Sequence, residues 1–337
     1  MTDINEVMGR LNPKLAKRLR LATDMEIERQ PLPSLGLTKA LGGGFRYGSQ
    51  VMLWGNRSSA KTMLALQTIA LAQKEGKSAA IIDAEGSLTP EWLDALGVDR
   101  SQLIWIPDVK TISQATDEGV KLIEAGIDIL LIDSISVLLP GSFFEKNGDM
   151  KEFEETNQIG QFARGIGKMC GAFNYVNSNT LILLVSQVTT GIYNWGAMDE
   201  PQGGKKAGHL NNTSVKLTSS LTEANQIKGV VHDGNRTIEK VIGRPVNWKV
   251  DKDRGPAMGV TGSYDIYVDG DFVGIDNVGE LVDYAVECGV IEQGGAWFTV
   301  EEQRVQGRKN VVSLLRANPA MCDTIERKVL GGTQQED

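Results

Sequence analysis

The chain has 337 residues, 23% of them charged, and a formal net charge of −8. That length can bury a full core, with room for one large domain and one or two small ones. No apolar run approaches the ~18 residues of a membrane span and no secretory signal is seen, so a soluble cytoplasmic protein is expected. Cys170, Cys288 and Cys322 lack paired spacing and only His209 and His232 are present, which argues against a disulfide framework and a histidine metal cluster. An acidic total still leaves room for a local basic groove that binds nucleic acid.

In chain order, residues Asn5 to Ala22 carry Val7, Met8, Leu11, Leu15 and Leu19 near helical spacing, with Arg10, Lys14, Lys17, Arg18 and Arg20 between them and Pro13 interrupting. Such a segment is either a solvated amphipathic arm or an arm that docks on a neighbour. Pro31 and Pro33 break the pattern, and Leu41-Gly42-Gly43-Gly44 marks a turn. The apolar run Val51 to Trp54 then enters Gly55-Asn56-Arg57-Ser58-Ser59-Ala60-Lys61-Thr62, followed by a helical stretch from Met63 to Lys74. Strand, glycine loop, lysine, hydroxyl and helix are the parts of a nucleoside triphosphate cradle. Its backbone N–H groups would surround the phosphates, Lys61 would balance their charge and the Thr62 hydroxyl would hold Mg²⁺. Ala60 stands where the pattern calls for a second glycine, and its Cβ can crowd a phosphate or strain the turn.

Three further apolar runs end in polar residues: Ser78 to Asp83, followed by Ala84-Glu85-Gly86; Gly126 to Asp133; and Thr180 to Val185, followed by Ser186-Gln187. Four strands ending polar on one edge of a parallel sheet are expected to build a ligand site there. Asp133 would hold Mg²⁺ through a water, the Walker B task, and Gln187 sits in the position of a γ-phosphate sensor. Strands are expected to alternate with helices from about Ser34 to Val268. Tyr264 to Val273 alternate around an Asp-Gly turn and predict a hairpin. Helical segments return at 279–288, 311–317 and 320–330, with Trp297 as the expected core anchor of a small tail domain.

From about Leu32 to Leu330 the chain resembles the bacterial-type RecA recombinases, in particular the diverged forms carried by bacteriophages. The most specific matches are Ile82-Asp83-Ala84-Glu85, Leu131-Ile132-Asp133-Ser134, Ser178-Asn179-Thr180, Gly279-Glu280-Leu281-Val282-Asp283 and Gly294-Gly295-Ala296-Trp297. The resemblance implies an α/β fold: a RecA-type P-loop ATPase core, a mostly parallel twisted sheet flanked by helices, over 34–268. An N-terminal polymerisation arm over 1–33 and a small α+β C-terminal domain over 269–337 would complete it. By the same resemblance Glu85 polarises the attacking water, Gln187 reports the γ-phosphate, and Trp92 lies against adenine. Lys252 and Arg254, which by themselves read as a solvated charge cluster, would reach a neighbouring subunit's ATP; cations supplied in trans act like arginine fingers.

Two segments are expected to bind DNA. In the first, about 141–160, Ile159 occupies the family's wedge position and Arg164 matches a phosphate contact just beyond it. The second, about 188–207, carries Gly191, Gly196, Gly203 and Gly204 for flexibility and Lys205 and Lys206 for charge, and Trp195 either stacks on a base or covers an apolar spot. Arg304, Arg308 and Lys309 are either a duplex entry strip or ordinary solvated surface. Departures from the family pattern are Ala60, Thr89 in place of an aspartate at adenine, and Leu210 and Asn211 in place of a Lys-Phe pair. The expected function is an ATP- and Mg²⁺-dependent recombinase that self-associates into a helical filament on single-stranded DNA and pairs it with a homologous duplex. The rivals are a RecA-fold ring motor of helicase type and a non-hydrolysing single-stranded DNA coating protein.

Overall fold

In the centre of the molecule each strand is a run of consecutive apolar residues, as a sheet covered by helices on both faces requires. The computed structural model describes residues 4–10, 26–144, 151, 160–189, 199–233 and 236–331. After helix α1 (Ile4–Gly9), strand β1 (Arg29–Gln30), helix α2 (Leu35–Ala40) and strand β2 (Phe45–Arg46), the central strands begin with β3 (Gln50–Gly55). They continue as β4 (Ala79–Asp83), β5 (Leu103–Pro107), β6 (Ile129–Asp133) and β7 (Leu181–Thr189). These run parallel in the order β3-β7-β6-β4-β5. Alternate side chains supply two apolar layers. Leu53, Ile81, Leu131 and Leu183 pack with Leu64, Leu66 and Ile69 of helix α3 (Lys61–Lys74). On the opposite face Met52, Ile82, Ile132 and Leu184 pack with Ile112 and Ala115 of α5 (Ile112–Glu124) and Ile166 and Phe173 of α6 (Gln161–Val176). Helix α4 (Pro90–Ala95) follows β4 in the chain.

The expected alternation of strands and helices stops well before Val268. After the short strand β8 (Glu200–Pro201) and helix α7 (Gly204–Leu210), five strands follow without an α-helix between them. They are β9 (Thr213–Ser219), β10 (Ile227–Asp233), β11 (Arg236–Lys252), β12 (Thr261–Tyr267) and β13 (Gly274–Ile275). β9 lies parallel to β3, and β11 then pairs antiparallel with β9, β10 and β12. Antiparallel neighbours need only a turn between them, so no crossover helix is required. Among the described residues the main sheet is thus a mixed sheet of eleven strands flanked by helices. The predicted hairpin is present as β12 against β13, with Ile266 opposite Ile275, but its return arm starts at Gly274.

A small α+β unit ends the chain: helix α8 (Asn277–Glu287), strands β14 (Glu292–Gly294), β15 (Trp297–Val300) and β16 (Gln303–Gln306), and helices α9 (Arg308–Ala317) and α10 (Pro319–Gly331). Its core is built from Leu281, Val282, Phe298, Val300, Val311, Leu315, Ile325 and Val329, with Leu35 from the body. Trp297 is not the anchor. Successive residues of a strand face opposite sides, so Phe298 (5% exposed) points inward while Trp297 (39% exposed) lies outside beneath the Arg304 guanidinium, 4.7 Å from its ring centre. Arg308, expected in a basic strip, is held by both carboxylate oxygens of Asp283 and by the Gly279 carbonyl. Most of the expected N-terminal arm, including Leu11, Leu15 and Leu19, lies outside the described residues. Among the described residues no helix is long and apolar enough to cross a membrane.

Candidate nucleotide site

Strand register assembles the site. Gly55 lies opposite Gln187 on one side and Leu217 on the other, and Asp83 lies opposite Asp133, so the polar ends of four parallel strands share one edge. Gly55 is required by contact as well as conformation: a Cβ there would sit 1.7 Å from the Leu217 carbonyl oxygen. Beyond it the loop turns through two left-handed non-glycine residues, Ser58 (φ 58°) and Ala60 (φ 62°), before α3 begins. Ala60 therefore keeps the conformation that glycine would adopt freely, at a cost of about 1–2 kcal/mol. Asn56 anchors the loop sideways, its amide nitrogen donating to the Ser219 carbonyl at 2.7 Å and its amide oxygen accepting from the Ser219 N–H at 3.2 Å. The Ser59 hydroxyl donates to the Asn56 carbonyl at 2.8 Å, and the Lys61 ammonium donates to the carbonyls of Asn56 (2.8 Å) and Gly55 (3.2 Å). Burial lowers the pKa of Lys61, with Asp133 and Glu85 opposing the shift.

Facing this loop is a cluster of carboxylates. Thr62 Oγ1 donates to Asp133 Oδ2 at 2.6 Å, whereas Asp133 Oδ1 is buried with no hydrogen-bond partner among the described residues. Burial pushes the Asp133 carboxyl up to about 6, the Thr62 hydroxyl working against the shift and Glu85 and Asp83 adding to it. A buried carboxylate with one free oxygen beside a threonine hydroxyl is a donor set suited to a hard cation and its waters. Glu85 Oε1 accepts from the Ser134 hydroxyl at 2.6 Å and from the Gln187 side-chain amide at 3.5 Å. Gln187 is itself held at its main chain, its N–H donating to Ser136 Oγ at 2.8 Å. Asp83 turns away to accept from the Gly86 N–H at 2.8 Å and shapes the loop that carries Glu85.

These groups line one cavity of about 480 Å³, walled by Arg57 through Met63, Glu85, Trp92, Asp133 and Gln187. Trp92 reaches it because Thr89 caps α4, its hydroxyl oxygen accepting from the Trp92 N–H at 3.2 Å. The antiparallel half adds Arg244, Ile266 and Val268 to the wall. The sequence reading missed Arg244: its Nε and Nη2 both donate to the Ser58 carbonyl, at 3.2 and 2.8 Å. No local motif marks it, because it belongs to the site only through sheet register.

Lys252 and Arg254 do not line this cavity. Lys252 Nζ donates to the carbonyls of Gly208, His209 and Asn211, completing the C-terminal end of α7. Arg164 lies in the first turn of α6 and lines a separate cavity of about 560 Å³ with Lys168, Asp117 and Gln161. Gly203 and Gly204 open α7 in left-handed conformation and lie against α6, where a Cβ on either would stand 3.0 Å from Ile166 or Ala163. The stems of the two expected DNA-binding segments therefore meet. Ile159 and Trp195 lie outside the described residues, as do the side chains of Lys205 and Lys206.

Comparison with known proteins places this geometry in a family context. The model of the RecA N-terminal domain matches residues 3–253 and that of the RecA C-terminal domain residues 279–333. Among curated proteins, the chain is similar to Protein RecA of Allorhizobium ampelinum, 34% identical over 306 residues that cover 90% of this chain and 79% of that one. It is also similar to Protein RecA of Acidothermus cellulolyticus (32% over 302 residues, 89% and 82% covered) and of Rickettsia bellii (33% over 309 residues, 91% and 84% covered).

Proposed function

Because this chain belongs to the RecA family, we propose that it is an ATP-dependent DNA recombinase: it forms a helical filament on single-stranded DNA, pairs it with a homologous duplex, and hydrolyses ATP when DNA is bound. The observation that carries the reading is the convergence of Lys61, Thr62, Asp133, Glu85 and Gln187 on one cavity, with a buried Asp133 oxygen that has no partner among the described residues. When bound, ATP would supply an electrophilic γ-phosphorus, and its Mg²⁺ would neutralise charge on the departing diphosphate. Lys61 and the loop N–H groups would bind the phosphates, Thr62 and Asp133 the metal and its waters, and Trp92 the base. Glu85, oriented by the Ser134 hydroxyl, would position the attacking water and accept a proton from it. Gln187 touches Glu85 and leads straight into the 188–207 segment, so a change at the carboxylate passes to the expected DNA contact through one side chain. Lys252 and Arg254 would serve the site of a neighbouring subunit, which would tie turnover to assembly. Arg164 and the 203–206 segment would hold the DNA backbone, a mode that requires steep salt dependence.

Negative-stain imaging and ATPase turnover, with and without single-stranded DNA, test this reading. Open helical filaments with DNA-stimulated turnover, and loss of strand exchange in Lys61→Ala, are expected. Closed rings of fixed subunit number would replace it with the ring motor. DNA-bound filaments without turnover, unaffected by Lys61→Ala, would replace it with the coating protein.

A further inference from the structure

The nucleotide loop has an unusual mechanical problem and a specific contact that answers it. Two of its residues, Ser58 and Ala60, are left-handed without being glycine, and Ala60 makes no side-chain cap to the helix it opens. Such a loop gains by relaxing, and relaxation would turn its N–H groups away from a shared centre. Its tip is held from outside by Arg244 on β11, which sends Nε and Nη2 together onto the Ser58 carbonyl from 186 residues away in the chain. The fork of a guanidinium suits such a two-nitrogen contact, and a charged donor strengthens each bond.

Arg244 is also placed for more than a structural tie. It is half-buried in the cavity wall, and burial lowers its pKa. Among the described residues it has no carboxylate within ion-pair distance, whereas Arg100, Arg308 and Arg316 each have one. A partly desolvated cation without a counter-ion, on the wall of a cavity that also holds Lys61, favours an anionic ligand there.

We propose that Arg244 is a nucleotide-positioning residue supplied in cis: by holding the Ser58 carbonyl it keeps the loop in its phosphate-binding shape despite Ala60, and its charge faces the polyphosphate cavity. The inference rests on the reading of this cavity as the ATP site. It makes a prediction that a merely structural arginine would not: the need for Arg244 depends on the residue at 60.

The test is equilibrium binding of a fluorescent ATP analogue with Mg²⁺, without DNA, to the full chain and to Arg244→Ala, Arg244→Lys, Ala60→Gly and the Ala60→Gly/Arg244→Ala double variant. The thermal midpoint of each is measured without nucleotide. Arg244→Ala should weaken binding about tenfold, with the loss in turnover falling on KM more than on kcat. Arg244→Lys should recover part of the affinity, since a single ammonium holds the carbonyl less firmly. In the Ala60→Gly background the Arg244→Ala loss should shrink to about threefold or less, because glycine holds the left-handed turn unaided. An equal loss in both backgrounds, or binding within twofold of the parent in Arg244→Ala, overturns the proposal. Lys61→Ala separates this failure from that of the site itself: if it too leaves binding intact, the cavity is not the nucleotide site. If Lys61→Ala abolishes binding while Arg244→Ala does not, only the role of Arg244 falls.

Discussion

The two halves of the main sheet contribute different things to one cavity. The parallel half brings chemistry: β3, β4, β6 and β7 are buried apolar runs that end at the cavity edge, so Lys61, Thr62, Glu85, Asp133 and Gln187 arrive together. The antiparallel half, β9 to β13, brings shape. Ser219 holds Asn56, the Leu217 carbonyl occupies the space a side chain on Gly55 would need, and Arg244 holds Ser58. A nucleotide loop is therefore not self-sufficient. Its short motif supplies the groups that line the cavity, and neighbouring strands supply the contacts that hold its left-handed backbone in the proposal above.

This division predicts that loss of the Glu85 carboxylate in the first half removes turnover while binding persists, and that damage to the contacts from the second half removes affinity. The largest effect is expected from Glu85→Gln, which keeps an acceptor for Ser134 but loses the charge: DNA-dependent ATP turnover should fall by about 10²-fold or more while analogue binding persists. Comparable loss of both would break the distinction. Gly55→Ala tests the seam between the halves. Its Cβ cannot coexist with the Leu217 carbonyl, so β3 and β9 must separate, at about 3 kcal/mol in denaturant unfolding. Asn56→Ala removes the sideways anchor and should weaken nucleotide binding about fivefold, roughly 1 kcal/mol, with little change in kcat.

The smallest effect concerns how the C-terminal unit is tied to the start of α2 beside the antiparallel half. Glu280 on α8 accepts from the Ser34 hydroxyl at 3.0 Å and the Leu35 N–H at 2.9 Å, beside Trp248 and Thr261. Burial pushes its carboxyl up to about 7 from 4.5, opposed by the Ser34 and Leu35 bonds, while Asp276 adds to the rise. The folded state therefore binds the proton more tightly than the unfolded chain, and this contribution to stability is fully present below pH 4.5 and lost as pH rises through about 7. Glu280→Gln should flatten the thermal-stability profile across that window. An unchanged slope would assign the pH dependence to another group.

Much of this was legible in the linear pattern. Apolar runs ending in Asp83, Asp133 and Gln187 can be read locally, because a strand buried on both faces leaves a run in the sequence and a strand end leaves a polar residue. The expected helices after Gly55 and in the tail were found within a few residues of their places for the same reason. Two readings failed where the answer depended on which face or neighbour a strand takes. Trp297 and Phe298 are adjacent and both aromatic, and only the docking of β15 on α9 and α10 decides which of them is buried. The antiparallel run from Thr213 escapes the linear pattern because its strands mix polar and apolar residues and leave no uniform apolar stretch.

The sequence by itself determined which groups the candidate nucleotide site carries, since the loop, its lysine and the carboxylates at strand ends are each specified by neighbours within a few positions. Tertiary structure alone decided that Ser219 and Arg244 close around that loop. The donors and acceptors involved lie 163 and 186 residues apart, and only the register of β9 and β11 in the sheet brings them to bonding distance.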